Sequence, residues 1–187
     1  MKQVEQIQEL NKGFDSDFQI LSGVECDILK DGYLDFPDEI LAQLDYVVAS
    51  VHASFTLPEK EMTRRIIRAI ENRYVTILGH PTGRLLLARE PYQVDLGEII
   101  NAAAATGTVI ELNANPRRLD MDWRYWKLAK ERGVRCAINP DAHFVQGLQD
   151  LWFGIQIARK GWLTRQDVIN CLRLSDVKKF LKEKRDR

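Results

Sequence analysis

The chain has 187 residues, 45% of them hydrophobic, which is enough to bury a substantial core within one domain. Its 27 basic residues balance 27 acidic ones, which excludes the one-sided positive field of a dedicated nucleic-acid binder and leaves room only for a locally basic cleft. Cys26, Cys136 and Cys171 are odd in number, scattered and without a Cys-x-x-Cys pair, which argues against a disulfide framework or structural zinc finger and for a cytoplasmic location. The first residues, MKQVEQIQELNK, are charged throughout, and no stretch approaches the roughly 18 uninterrupted apolar residues of a membrane span, so no membrane partner is expected.

Val4, Ile7 and Leu10 recur at three-residue spacing and predict an amphipathic helix over residues 1–12, with Gly13 as its stop. Phe18 to Ile28 reads as a first strand that carries Glu25 and Asp27 at i and i+2. Asp35 and Pro37 open a short helix through Leu44. A second strand, Tyr46 to Val51, follows, and Thr56, Pro58 and Glu59 start a helix that sends Ile66, Ile67 and Ile70 toward the core. Val75 to Gly79 is a third strand, passing into the tight loop Pro81-Thr82-Gly83-Arg84. Asp95 with Glu98 resembles a capping box and opens the alanine-rich helix 96–105, stopped by Gly107. Thr108 to Leu112 is a fourth strand. After the loop 114–120, Asp122 caps a helix over 123–132 that Gly133 closes, and Val134 to Ile138 is a fifth strand stopped by Asn139-Pro140. The pattern is helical from there: 148–159, 164–172 and 175–184, the last ending in a solvated basic stretch. No linker or low-complexity segment interrupts this rhythm, so one domain over 1–187 is expected, on a parallel sheet that is either doubly wound or a barrel.

The ends of the strands carry the chemistry. Asp141 and His143 stand at i and i+2 just past the fifth strand, and in extended chain such residues point the same way. Taken alone, an Asp-x-His after a strand is more often a turn than a ligand pair. The other two histidines nevertheless occupy the same structural position, His52 after the second strand and His80 after the third. Glu25 ends the apolar part of the first strand and Asn113 that of the fourth. The series 25, 52, 80, 113, 141 advances by 27, 28, 33 and 28 residues, the length of one strand-helix unit. A barrel aims the C-terminal tips of all its strands at one centre, whereas an open doubly wound sheet gathers side chains mainly at its switch point, so five successive polar tips favour the barrel.

SGVECDIL, LDYVVASVHASF, ILGHPTGRLL, IELNANPRRLD and Asp141-Ala142-His143 together resemble the PHP (polymerase and histidinol phosphatase) superfamily, most closely the C-terminal PHP domain of family X DNA polymerases. The resemblance runs from about Phe18 to Asn170. It implies an α/β fold, a distorted TIM-like barrel of seven strand-helix units. It also implies a cluster of divalent metals, usually zinc, manganese or iron, and hydrolysis of phosphate esters, including the 3′-5′ exonuclease reaction on a single-stranded DNA end. By position, Glu25 corresponds to the bridging carboxylate and His52, His80, Asp141 and His143 to further metal ligands, with Glu25, Asp141 and His143 as the catalytic groups. Arg84, Arg117 and Arg118 are inferred, from charge and location, to contact substrate phosphate.

The family pattern also includes a first strand with His-x-His and a second ending in Asp-His, and this sequence has neither. The expectation is therefore a partial barrel lacking roughly the first two strand-helix units. Hydrolysis of phosphodiesters draws on metals about 3.5–4 Å apart, and five ligands hold one ion comfortably and two poorly, so impaired activity is expected. The alternatives are a non-catalytic PHP remnant serving as a structural or interaction domain, a histidinol-phosphatase-like phosphomonoesterase, and, less well matched, an amidohydrolase-type metal enzyme. An incomplete barrel also exposes the edge of the Phe18 to Ile28 strand. That edge must be covered by residues 1–12, by the C-terminal helices or, as the favoured expectation, by self-association with a second copy.

Overall fold

The computed structural model describes residues 2–15 and 17–186. Helix α1 (Lys2–Asn11) leads to strand β1 (Gly23–Asp27), the short helix α2 (Asp38–Leu41), β2 (Tyr46–Ser50), α3 (Glu59–Ile70), β3 (Ile77–Leu78), α4 (Leu96–Thr106), β4 (Val109–Asn113), α5 (Trp123–Glu131) and β5 (Cys136–Asn139). A 3₁₀ turn (Val145–Asp150), α6 (Leu151–Lys160), a second 3₁₀ turn (Ile169–Cys171) and α7 (Leu174–Arg185) complete the described chain. All five strands are parallel and their spatial order is β1-β2-β3-β4-β5. A doubly wound sheet reverses its order at a switch point, and this one never does. Each crossover winds the same way, which is the topology of a TIM-like sheet.

The alternation of strand side chains divides this sheet into two unlike faces. The outer face, with Cys26, Val47, Ala49, Leu78, Ile110 and Ile138, joins the main core, where α3 contributes Ile66 and Ile70, α4 Ile99 and Ile100, and α5 Trp126. These helix residues are fully buried, and an isoleucine removed from water in this way contributes on the order of 1.5–3 kcal/mol. The inner face is apolar only toward the strands' N-terminal ends, where Ile77, Val109 and Ala137 meet Tyr46, Val48, Ile169 and Phe180 of α7. Toward the C-terminal ends it carries Glu25, Ser50, Glu111, Asn113 and Asn139.

The helices begin where their caps dictate. Asp95 accepts the Glu98 N–H at 3.0 Å to open α4, and Gly107, at φ +70°, closes it in the left-handed region glycine favours. Asp122 accepts the Arg124 N–H at 3.0 Å to open α5.

The sheet is open, with β1 and β5 at its edges, and both edges find partners within the chain. The Asp27 N–H donates to the Asp35 carboxylate at 2.9 Å and the Asp27 carbonyl accepts the Asp35 N–H at 3.1 Å. Further back, the Asn11 amide pairs with both the N–H and the carbonyl of Ile20, at 2.8 and 2.9 Å. On β5, the Cys136 N–H donates to the Asp167 carbonyl, and the Asn170 side chain exchanges two hydrogen bonds with Ile138, at 2.8 and 2.9 Å. A side-chain amide has the donor and acceptor of a peptide unit, so Asn170 continues the ladder without a strand.

That edge explains the main departure from the sequence reading. Residues 164–172 are not a helix. The Asp167 carboxylate accepts the Thr164 N–H and hydroxyl at 2.7 and 2.8 Å and the Lys130 ammonium at 2.9 Å, and Val168 lies extended beside Cys136 before the turn Ile169–Cys171. Pairing with the open edge of β5 outweighs helix propensity. The other departures are of extent. The first strand begins at Gly23 rather than Phe18, the third is two residues long, the helix expected through Leu44 ends at Leu41, and the stretch expected as 148–159 is a 3₁₀ turn followed by α6.

Candidate metal centre

Glu25 projects from the middle of β1 onto the inner face, while His52 and His80 each stand two residues past the end of their strands. The three meet: one ligand atom from each lies within 4.8 Å of the others. His52 Nε2 is 3.5 Å and His80 Nε2 3.3 Å from Glu25 Oε1, so both rings turn the same nitrogen inward. The other His52 nitrogen, Nδ1, is 2.6 Å from Asp27 Oδ1. Behind this group the buried Arg65 guanidinium donates to the carbonyls of Ile28 and Leu29, just after Asp27, and of Ala53, just after His52. One side chain of α3 thereby fixes both loops that carry the site.

Strands β4 and β5 answer from the other side with a buried polar network. Glu111 accepts the His80 backbone N–H at 2.7 Å, the Asn139 amide at 2.9 Å and the Asn113 amide at 3.2 Å. Asn113 also donates to Asp141 Oδ2 at 3.1 Å, and Arg118 Nε lies 3.6 Å from that oxygen. Asp120, fully buried, accepts the Thr82 N–H at 3.0 Å. The backbone is held in unusual conformations here: His80 and Asp141 have φ of +22° and +52°, a region that disfavours any residue with a Cβ.

The electrostatics follow from this packing. The His80 ring, followed by the Ser50 hydroxyl and the charge of His52 and acting against burial, holds the Glu25 carboxyl down at about 2. Burial disfavours the charged form of His80, but the Glu25 and Glu111 carboxylates outweigh it and raise the imidazole. Burial raises Glu111, with His80 and Asn139 opposing. A cavity of about 560 Å³ adjoins the group, with Glu25, Glu111, Asn139 and Asp141 at one end and Tyr46, Val48, Ile77, Ile169, Val177 and Leu181 at the other.

No family model matches the chain. It is 45% identical over 181 residues to the DNA polymerase/3′-5′ exonuclease PolX of Bacillus subtilis, covering 97% of this chain and 32% of that protein. It is 33% identical over 177 residues to a probable phosphatase of Thermoanaerobacter sp., covering 89% of this chain and 69% of the relative. A probable phosphatase of Caldanaerobacter subterraneus is 33% identical over 180 residues, 90% of this chain and 68% of the relative. The chain belongs to the PHP superfamily. It spans 32% of the length of the Bacillus PHP relative and about two thirds of the phosphatases.

Of the residues singled out in this PHP sequence, Glu25, His52 and His80 come together, and Asp141 faces the same cavity. His143 stands apart: its ring is 80% exposed and its Nδ1 lies 2.9 Å from the Asp141 carbonyl. Arg84 is engaged elsewhere, because its guanidinium donates to the Arg118 and Leu119 carbonyls and pairs with Asp122 at 2.9 Å, bracing the loop that carries Arg118. Arg117 is exposed on that loop, while Arg118 faces Asp141. Sequence reasoning noted Asp27 beside Glu25 without giving it a role, and passed over Glu111 and Asp120. The signal for Glu111 was present, a carboxylate inside an otherwise apolar strand and two residues before Asn113, since a buried charge needs a local partner. Asp120 lies in a loop, and nothing in its neighbours announces burial.

Proposed function

We propose that this chain is a metal-dependent phosphoesterase domain of the PHP type, with its centre on Glu25, His52 and His80. The observation that carries the proposal is the convergence of two imidazole Nε2 atoms and one carboxylate oxygen within 4.8 Å. The donor set suits the metal: two neutral nitrogens and a carboxylate favour zinc, manganese or iron over calcium or magnesium. His52 is ready for the role, because Asp27 on Nδ1 leaves Nε2 free to ligate. Asp141, lining the same cavity, is the fourth ligand on this reading. A divalent ion held there supplies Lewis acidity and activates water.

The chain's own residues do the rest. Arg118 Nη1 is buried without a partner among the described residues, a donor suited to a phosphate oxygen. Arg117 adds exposed positive charge at the rim. His143, its ring 80% exposed, donates Nδ1–H to the Asp141 carbonyl, so Nε2 can take a proton from solvent and, as the imidazolium, deliver it to the leaving oxygen. The substrate is a phosphate ester, a single-stranded DNA end among the options, whose organic part enters the apolar end of the cavity. Three converged ligands hold one ion rather than a cluster, so turnover by this chain alone is slow.

Elemental analysis and hydrolysis of bis(p-nitrophenyl) phosphate on the same sample test the proposal. About one zinc, manganese or iron per chain, and a slow rate abolished by chelation and by Glu25→Gln, are expected. A metal-free protein with no rate after metal addition would refute it. It would favour a second reading, a non-catalytic interaction domain, for which the exposed apolar run Phe144, Val145, Leu148 and Trp152 speaks.

A further inference from the structure

The apolar end of the cavity has one wall that the sequence builds in an unusual way. Gly23 opens β1, and a glycine weakens a strand unless another group must approach its backbone closely. The approaching group is Tyr46, its register partner on β2. A Cβ added to Gly23 would lie 2.5, 2.6 and 2.9 Å from Cζ, Cε1 and Cε2 of that ring, so the phenol lies flat on the glycine backbone. One face of the ring is taken by Gly23. The ring also lines the cavity, which leaves its other face for whatever enters there.

The strand sets how far this ring stands from the candidate centre. Gly23 and Glu25 are at i and i+2 on one face of β1, roughly 6.5–7 Å apart, and Glu25 is the carboxylate on which His52 and His80 converge. Val48, the register partner of Glu25, and Ile77 supply apolar surface between the two levels, and Leu181 of α7 stands at the far end. The cavity volume of about 560 Å³ lies within the roughly 300–1,000 Å³ of small-molecule sites, which pair apolar walls with a few convergent polar groups. We propose that Tyr46 determines specificity at this site. Its free face stacks on a planar ring in the organic part of the ester, about one ring's length from the reacting phosphate. Such a ring comes as an aryl group or as a nucleobase. The inference deepens the phosphoesterase reading above and rests on it for the phosphate, not for the ring.

The test has two arms. Zinc-supplemented protein is titrated calorimetrically with phenylphosphonate and methylphosphonate, which resist hydrolysis, and metal-free protein is probed with phenol and thymidine by saturation-transfer NMR. Wild type is expected to bind phenylphosphonate about 10-fold more tightly than methylphosphonate. Tyr46→Leu should bring that ratio to within about threefold of unity, and Tyr46→Phe, which keeps the ring, should retain it. Should Tyr46→Leu not fold, Leu181→Trp fills the cavity from α7 without touching β1 or β2 and should also remove the preference. Equal affinity for the two phosphonates, or a preference that both Tyr46→Leu and Leu181→Trp leave intact, overturns the proposal while the phosphoesterase reading stands. Saturation of phenol or thymidine that Tyr46→Leu abolishes, in a protein that binds neither zinc nor phosphonate, would instead sustain the ring site and overturn that reading. The neutral ring that saturates more strongly tells an aryl ester from a nucleotide.

Discussion

On the β1–β3 side of the inner face, the Glu25 and His52 side chains keep 40% and 39% of their surface open to solvent; on the β4–β5 side, Glu111 and Asn113 keep 5% and 0%. Each side is built around one glutamate of the same sheet. They differ in what satisfies the polar groups. Glu111 accepts the His80 N–H and two amides, three fixed donors that hold it in place. Glu25 meets the Ser50 hydroxyl and two imidazoles, and a cation would replace the attraction of the imidazoles for its carboxylate. A carboxylate facing fixed donors orients its neighbours; one facing titratable rings keeps partners that a cation can displace.

If that division is right, substitutions on the two sides have unlike consequences. The largest effect is expected from His80→Ala, which should lower zinc affinity more than about 100-fold, since loss of an outer partner alone costs 10–100-fold. His143→Ala, with its ring outside the converged group, should change zinc affinity less than about threefold by the same titration, and an equal loss in both variants would place His143 inside the centre. Arg65→Leu comes next. It leaves the carbonyls of Ile28, Leu29 and Ala53 without their donor and should cost about 3 kcal/mol in urea unfolding, the loops of both Asp27 and His52 loosening together. Asn170→Ala, at the far edge, removes two hydrogen bonds from Ile138 and should cost about 1–2 kcal/mol with zinc binding unchanged.

The smallest effect concerns pH. In metal-free protein the Glu25 carboxyl sits at about 2, below its ordinary 4.5. A depressed carboxyl contributes its stability in full above the unfolded value and loses it as pH falls toward the folded one. The difference in urea midpoint between wild type and Glu25→Gln should therefore be fullest near pH 5 to 6, shrink between pH 4.5 and 2 as the carboxyl takes up its proton, and shrink again above 6.5, where the His80 ring that this carboxylate raises loses its own. A difference independent of pH across that window would show that the imidazoles do not hold this carboxylate. The half-open position of Glu25 keeps the effect small.

Much of this was legible in residue order. Alternation, caps and stops located the five strands and most of the helices, because these signals act within a few residues: Asp95 on Glu98, Asp122 on Arg124, Gly107 at φ +70°. His52, His80 and Glu25 were legible for the same reason, each standing on or just past an apolar run whose direction the sheet imposes. The helix expected over 164–172 failed because its backbone answers a demand from Cys136, about thirty residues away, which no local pattern contains.

What the sequence by itself determined, then, is the strand-helix rhythm, the parallel sheet and the alignment of its polar tips, since periodicity and turn chemistry are local and strands of one hand wind one way. Tertiary structure alone decided which of those tips meet. His143, expected beside Asp141, does keep its Nδ1 2.9 Å from the Asp141 carbonyl and 3.7 Å from Oδ1, but its ring is 80% exposed and stays outside the group formed by Glu25, His52 and His80. Arg84, read as a phosphate contact, is drawn into the loop of Arg118 and Leu119. Asp120 becomes the buried neighbour of a turn thirty-eight residues earlier in the chain. Each outcome depends on which distant donors and acceptors compete for a side chain once water is removed, and only the packed chain sets that competition.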